Sequence, residues 1–248
     1  MDVLIVIPTY NEVENIAKML PVLRATVPST HILVVDDASP DGTAQVVEEF
    51  ASTDDHVHLL SRKAKGGLGG AYRAGFRWGI EHGYDHFVEM DADFSHDPKD
   101  LPRLFAEAEK GAGLVIGSRY VAGGVIPNWP WYREMLSRGG NLYASTLLRL
   151  KVRDATAGYR VYALDALRAI DFEGVDLNGY GFQIDMTDRA RQAGVSIVEV
   201  PITFTDRVVG ESKMSGSIIT EALWMVTKRA VRRVLGREPS PQGKVGAR

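Results

Sequence analysis

Short apolar runs recur along the first half of the chain, at Val3 to Ile7, Ile32 to Val35, Val57 to Leu60, His86 to Met90 and Leu114 to Gly117. Each has the length of a strand and is too continuous for a half-exposed one, so the pattern predicts strands buried on both faces. Between them the apolar spacing changes. Ile16, Met19, Leu20 and Leu23 follow Asn11, Glu12, Glu14 and Asn15, residues suited to a helix start, and Val46, Val47 and Phe50 follow the turn Ala38 to Thr43. Helices are also predicted through Trp78 and Ile80 and from Pro98 to Lys110. This alternation predicts an α/β fold with a mainly parallel sheet flanked by helices on both faces.

Past Gly117 the alternation breaks down. Gly123 to Arg133 reads as an aromatic loop, with Trp129, Trp131 and Tyr132, before a helix over Arg138 to Leu150. Asp154 to Tyr162 reads as a loop running into a short strand. Phe182 to Met186 opens a helix with Asp185 near its start, and Ser196 to Val200 is the last clear strand. Phe204 to Lys213 is either an ordinary surface loop or a loop whose two cations reach a phosphate. Ser215 to Leu235 is an amphipathic helix with Lys228, Arg229, Arg232 and Arg233 on its polar face. It either packs on the core with a solvated basic end or rests on anionic lipid headgroups. The Pro-, Gly- and Ser-rich tail over 237–248 reads as disordered.

Two carboxylates stand out at the end of the fourth run, in Val88-Glu89-Met90-Asp91-Ala92-Asp93-Phe94-Ser95. In an extended segment residues i and i+2 point the same way, so Asp91 and Asp93 can offer oxygens to one hard cation, Mg²⁺ or Mn²⁺, with Ser95 on the same parity. Strand carboxyl ends are also where open parallel sheets bind ligands. The stretch Arg62 to Ala71 holds four glycines and three cations. It is either a flexible turn with solvated basic residues or a holder for a nucleotide. Tyr72 stands where a dinucleotide fingerprint needs its third glycine, and no Gly-Lys-Ser/Thr phosphate loop occurs.

Composition narrows the chemistry. The 248 residues, 45% hydrophobic and 25% charged, suit one large soluble domain, and the net charge of −3 argues against general nucleic-acid binding. With no cysteine there is no thiol nucleophile, disulfide or thiolate metal site. The apolar N-terminal run is too short for a signal peptide and no window is long enough for a membrane span, so the expected location is cytoplasmic, at most on a membrane surface. The six histidines look scattered, with His56-x-His58 an accident of a strand edge.

Taken together, Pro8-Thr9-Tyr10-Asn11-Glu12, Val35-Asp36-Asp37-Ala38-Ser39-Pro40-Asp41-Gly42-Thr43 and Asp91-Ala92-Asp93 resemble the inverting family-2 glycosyltransferases of GT-A fold, a Rossmann-like architecture. Lys65 to Tyr72, Gly117 to Tyr120 and Asp206 to Lys213 look like the dolichyl-phosphate or polyprenol-phosphate mannose synthases within them. The resemblance covers about residues 3 to 235. It implies one domain over 1–236, with a nucleotide-binding half to about 120 and an acceptor-side half after it.

The resemblance also implies a reaction, transfer of mannose from GDP-mannose to a polyprenyl phosphate with Mg²⁺ or Mn²⁺. Pro8, Tyr10, Glu12, Val35 and Asp37 would surround the guanosine. Asp91, Ala92 and Asp93 would meet ribose, metal and diphosphate, with Ser95 a further metal contact. Arg119, Arg207 and Lys213, with Arg133 as a fourth, match cations that gather phosphate charge. Relatives often carry Glu where this chain has Asp185. The implied protein is peripheral on the cytoplasmic face of the membrane, meeting the lipid through Trp129 to Tyr132 and the terminal helix or through a membrane-anchoring partner. Competing readings are a polyprenyl-phosphate glucosyltransferase, a sugar nucleotidyltransferase and a non-catalytic sugar-nucleotide binding module.

Overall fold

The computed structural model describes residues 1–206 and 216–235. Seven strands form one sheet: β1 (Val3–Thr9), β2 (His31–Asp36), β3 (Val57–Ser61), β4 (His86–Glu89), β5 (Leu114–Ser118), β6 (Arg160–Ala163) and β7 (Ile197–Pro201). Their order is β3-β2-β1-β4-β6-β5-β7. All neighbours are parallel except β6, which runs antiparallel to both β4 and β5. The mainly parallel sheet expected from the alternation is therefore present, and β6 is the element that interrupts it.

The strands are apolar throughout because both faces are covered. Leu4, Val6, Leu33, Val35 and Phe87 pack on one side, while Ile5, Ile7, Ile32, Val34 and Val88 pack on the other. The second layer holds α1 (Val13–Thr26), which buries Ile16, Met19, Leu20 and Leu23, together with α2 (Thr43–Ala51) and α4 (Leu101–Glu109). The first holds α3 (Gly67–Glu81), α5 (Trp131–Leu148), α6 (Leu164–Ile170), α7 (Gly179–Gln192) and α8 (Gly216–Val234). Close approach of α3 to the sheet requires glycine: a Cβ on Gly75 would lie 2.4 Å from Val6 Cγ1.

Several boundaries depart from expectation. The aromatic loop is shorter than expected, because Pro130 precedes α5 and Trp131 and Tyr132 occupy its first turn, seven residues before Arg138. A 3₁₀ turn over Pro98–Asp100 precedes α4, since two prolines at 98 and 102 restrict the entry. Asp185 lies in the second turn of α7 rather than at its start. Four of the six histidines are not scattered: His31, His56, His58 and His82 converge with Trp78 and Tyr84, through β2, β3 and the end of α3.

The terminal helix also differs in its charged face. Arg229 and Arg233 turn inward to the buried Asp185 and Asp188, leaving Lys228 and Arg232 exposed. No helix of the described residues is long and apolar enough to cross a membrane. The tail expected to be disordered lies outside the described residues.

Candidate active site

The carboxyl ends of β1, β2, β4 and β5 open into a cavity of about 500 Å³. Pro8, Tyr10 and Glu12 reach it from β1, Asp37 from β2, and Asp91, Ala92, Asp93 and Ser95 from the segment after β4. Arg119 reaches it from β5. Opposite stand Trp129, Arg133, Phe204 and Asp206, with Asn178, Tyr180 and Gln183 from the start of α7. Val35 is the exception among the expected contacts: its side chain is fully buried in the core and does not line the cavity. Arg207 and Lys213 lie outside the described residues. Asp185 is absent from the lining and faces α8.

The acidic turn after β2 is largely self-organised. Asp36 accepts from Thr9 Oγ1 at 2.9 Å and from Ser39 N at 2.9 Å, while Asp41 accepts from Thr43 N and Val13 N. Asp37 looks the other way. Its Oδ2 accepts from the backbone N–H of Gly66 at 2.9 Å and of Gly67 at 3.1 Å, and its Oδ1 accepts from Arg62. The glycine-rich stretch is thus pinned to β2 and forms the first turn of α3. A Cβ on Gly67 would lie 2.4 Å from Asn178 Oδ1, so glycine here permits contact with the opposite wall. At the mouth Lys65 Nζ lies 4.0 Å from the centre of the Tyr10 ring.

Asp91 and Asp93 share the cavity for a reason other than the extended geometry expected. β4 ends at Glu89 and the chain bends over 92–95, with Phe94 at φ 59°. Ser95 N donates to Asp93 Oδ1 at 3.0 Å, closing the bend. Two carboxylates and the buried Ser95 hydroxyl are hard oxygen donors, the set that suits Mg²⁺ or Mn²⁺. Among the described residues no three or more Asp, Glu or His side chains close on one point. A cation held here would complete its oxygen shell from outside this set, with a bound ligand and water among the sources.

Behind this pair lie buried groups that the sequence reading missed. His96 is stacked on Tyr159, its Nδ1 accepts from Asp91 N at 3.3 Å, and burial pushes its pKa down to about 4, so the ring is neutral. Glu89 is fully buried, and burial pushes its carboxyl up to about 7 against the opposing pull of Arg160. Gln183 Nε2 donates to Glu89 Oε2 at 2.7 Å. The sequence hint for Glu89 and Gln183 is a polar residue set between apolar ones, and His96, flanked by Ser95 and Asp97, has no such hint.

Arg119 is held as one half of a buried ion pair. Its Nε and Nη2 meet Asp154 Oδ2 and Oδ1 at 2.7 and 2.6 Å, and Nη2 also donates to Thr156 Oγ1 at 2.7 Å. Burial opposes the Arg119 charge, but Asp154 outweighs it and raises the pKa. Burial likewise opposes the Asp154 charge, which Arg119 outweighs. Both stay ionised, and Nη1 has no hydrogen bond among the described residues. At the rim, Arg133 donates to Asp206 at 2.8 Å and stacks 4.0 Å over Trp129.

Comparison with known proteins identifies the fold and family. The model of the family described as glycosyl transferase family 2 matches residues 4–171. The chain belongs to glycosyl transferase family 2. It is 57% identical to undecaprenyl-phosphate mannosyltransferase of Micrococcus luteus, over 92% of this chain and 93% of that one. It is 52% identical to polyprenol monophosphomannose synthase of Mycolicibacterium smegmatis, over 94% and 89% respectively.

Among solved structures, glucosyl-3-phosphoglycerate synthase of Mycobacterium tuberculosis shares the fold at a TM-score of 0.68 and 18% identity, covering 93% of this chain and 80% of that one. A mannosyltransferase from Pyrobaculum calidifontis, solved with GDP-Man and Mn²⁺, has a TM-score of 0.57 and 16% identity, covering 96% and 76%. These neighbours establish the GT-A-like architecture expected for a family-2 enzyme.

Proposed function

We propose that this family-2 glycosyltransferase moves mannose from GDP-mannose to a polyprenyl phosphate, with inversion at the sugar carbon, giving polyprenyl-phosphate mannose and GDP. The observation that carries the reading is the 57% identity, over nearly the whole of both chains, to a protein named undecaprenyl-phosphate mannosyltransferase. The cavity fits it, being lined by Asp91 and Asp93 and by Arg119 and Arg133, which lie over aromatic rings.

The acceptor needs little activation. A phosphate monoester has a second pKa of about 6, so at neutral pH it is already mostly a dianion and no strong general base is required. Its oxygen forms a bond to the anomeric carbon as the bond to the GDP oxygen breaks, and the electron pair leaves on the diphosphate. The difficulty is electrostatic, because an anion approaches a donor whose leaving group is also anionic. We assign Arg119, Arg133, Arg207 and Lys213 to gathering the phosphate charges. Arginine suits two-point phosphate contact, and Lys213 adds a point charge.

We assign Asp91 and Asp93, with Ser95, to holding Mg²⁺ or Mn²⁺. When bound, the cation neutralises charge that builds on the leaving diphosphate. Pro8, Tyr10, Glu12 and Asp37 surround the nucleoside; Asp37 acts by fixing the glycine-rich turn beneath it. Val35 contributes through the strand that carries Asp37.

The lipid acceptor points to a membrane surface. Adjacent helices α5 and α8 leave Trp131 74%, Leu142 69% and Trp224 63% exposed, with Lys228 over the Trp224 ring and Arg232 exposed on the same helix. Large exposed apolar side chains next to basic ones suit an interfacial position on anionic lipid. We therefore place the enzyme peripherally on the face that carries the nucleotide donor, taken as the cytoplasmic one. Flotation with anionic vesicles should carry the protein upward; failure to float even with acceptor lipid present would shift the anchoring to a partner protein.

The donor is tested by competition. Lipid product should form from GDP-mannose and resist excess UDP-glucose. Product formed only from UDP-glucose would retain the family and overturn the mannose assignment.

A further inference from the structure

Residues 154–157 run between two guanidinium groups. On the cavity side Arg119 takes the side chains of Asp154 and Thr156. On the core side Arg160 takes the carbonyls of Ala155 and Ala157, at 2.8 and 2.7 Å. Even-numbered residues thus serve one arginine and odd-numbered residues the other. Asn141 and Glu199 hold the same turn by its flanks, through Thr156 N at 3.2 Å and Asp154 N at 2.9 Å.

Arg160 itself does not line the cavity and is fully buried. Its remaining contacts are Gln183 O and Thr187 Oγ1, both at 3.0 Å, and Tyr162 OH at 3.2 Å. Its register partner across β4 and β6 is Glu89, which is also fully buried and whose carboxyl feels the pull of the Arg160 charge. A buried charge must have its donors satisfied, and the Arg160 guanidinium does so through these five hydrogen bonds. Neutralising Glu89 alone would need only a point charge. The rigid fork is needed to hold two alternate carbonyls of one turn at once.

We propose that Arg160 is a positioning residue for Arg119. By fixing the carbonyls of Ala155 and Ala157 it sets Asp154 and Thr156, and these aim Arg119 so that its Nη1 meets a substrate phosphate. The inference rests on the reading above that phosphate-bearing substrates fill the cavity. It goes beyond that reading by giving a core residue a role in phosphate recognition.

The test is a double-mutant cycle of Arg160→Lys and Arg119→Lys, with kcat and KM measured on GDP-mannose and a short polyprenyl phosphate. Pyrophosphate affinity by calorimetry and thermal midpoint are read beside them. Arg160→Lys keeps the charge opposite Glu89 and loses the fork. It should lower kcat/KM roughly 10- to 100-fold in the wild-type background and no more than about twofold in the Arg119→Lys background. The fall in thermal midpoint should be the same in both.

An equal loss of kcat/KM in both backgrounds would make Arg160 a general structural residue and overturn the proposal, as would near-normal activity of Arg160→Lys. Should that variant not fold, Arg160→Gln together with Glu89→Gln leaves no unpaired buried charge and carries the same two expectations. If the wild type does not use GDP-mannose, the donor reading falls. The pyrophosphate cycle then decides the arginine pair by itself: coupling supports it and additivity overturns it.

Discussion

Asp185 of α7 faces Arg229 of α8, Oδ1 to Nη2 at 2.5 Å, while Arg189 Nε lies 3.3 Å from both carboxylate oxygens. One turn further on, the fully buried Asp188 accepts from Arg233 Nη2 at 2.7 and 2.6 Å. These charges join α8 to the domain, so the shorter Asp185 serves as an interhelical anchor rather than a cavity residue. Burial raises its pKa even against the pull of both arginines.

Removing one partner from such a pair leaves a desolvated charge, which is costlier than the pair is stabilising. Arg229→Met should therefore lower stability by about 2–4 kcal/mol. Urea unfolding would measure it. GDP affinity of the folded variant should stay within about twofold of wild type, since Arg229 does not line the cavity.

The packing of α3 on β1 gives a second expectation. A Cβ on Gly75 would lie 2.4 Å from Val6 Cγ1 and 3.3 Å from Val35 Cγ2. Both neighbours are branched side chains in the closed core, so Gly75→Ala should cost about 1–3 kcal/mol through overpacking. Gly83, where a Cβ would meet nothing within 4 Å but φ is +86°, is the control for backbone strain without a clash. Thermal unfolding of the two alanine variants separates the causes.

The histidine cluster predicts pH-dependent stability. His31 Nδ1 lies 3.1 Å from His58 Nε2, a contact in which one ring must donate and the other accept. Burial lowers both pKa values below 6.5, assisted at His31 by His56 and Arg24 against Asp2 and Asp54, and at His58 by His31, His82 and His56 against Asp54. The unfolded chain then binds more protons than the folded one. This contribution is fully present above pH 6.5 and is lost as pH falls toward the lowered values. A midpoint that drops between pH 7 and 5.5 in wild type, and drops less in His31→Gln, would bear this out; equal slopes would not.

Asp37 gives a test of the nucleotide end. Its carboxylate holds the N–H groups of Gly66 and Gly67, so Asp37→Ala should loosen the first turn of α3 and raise the Kd for GDP roughly 10-fold or more. Titration calorimetry measures it. Asp37→Asn should fall between, because its amide oxygen can accept from one backbone group but not act as a carboxylate.

How far the sequence revealed this arrangement depends on the range of the interactions involved. Strands such as Val3–Thr9 and Ile32 to Val35 were legible because burial on both faces demands an unbroken apolar run. Asp91 and Asp93 were legible because two acids closing such a run conflict with burial. The direction of β6 was not, since a four-residue strand has the same pattern either way up. Nor were Arg160 and Gln183, since Gln183 meets Glu89 94 residues away and Arg160 meets Gln183 and Thr187 23 and 27 residues away, contacts that leave no local period. The histidine cluster was missed for the same reason: His31 and His58 meet only because β2 and β3 pair.

The most direct test of the central claim is transfer of label from GDP-mannose to a short polyprenyl phosphate, run with Mg²⁺, with chelator, and with Asp93→Ala. Mannosyl lipid should form from the wild type with Mg²⁺, and fall at least about 100-fold with chelator and with the variant. Full transfer by Asp93→Ala, or by wild type in chelator, would contradict the assignment of the Asp pair. A wild type that makes no mannosyl lipid while binding GDP would contradict the reaction itself.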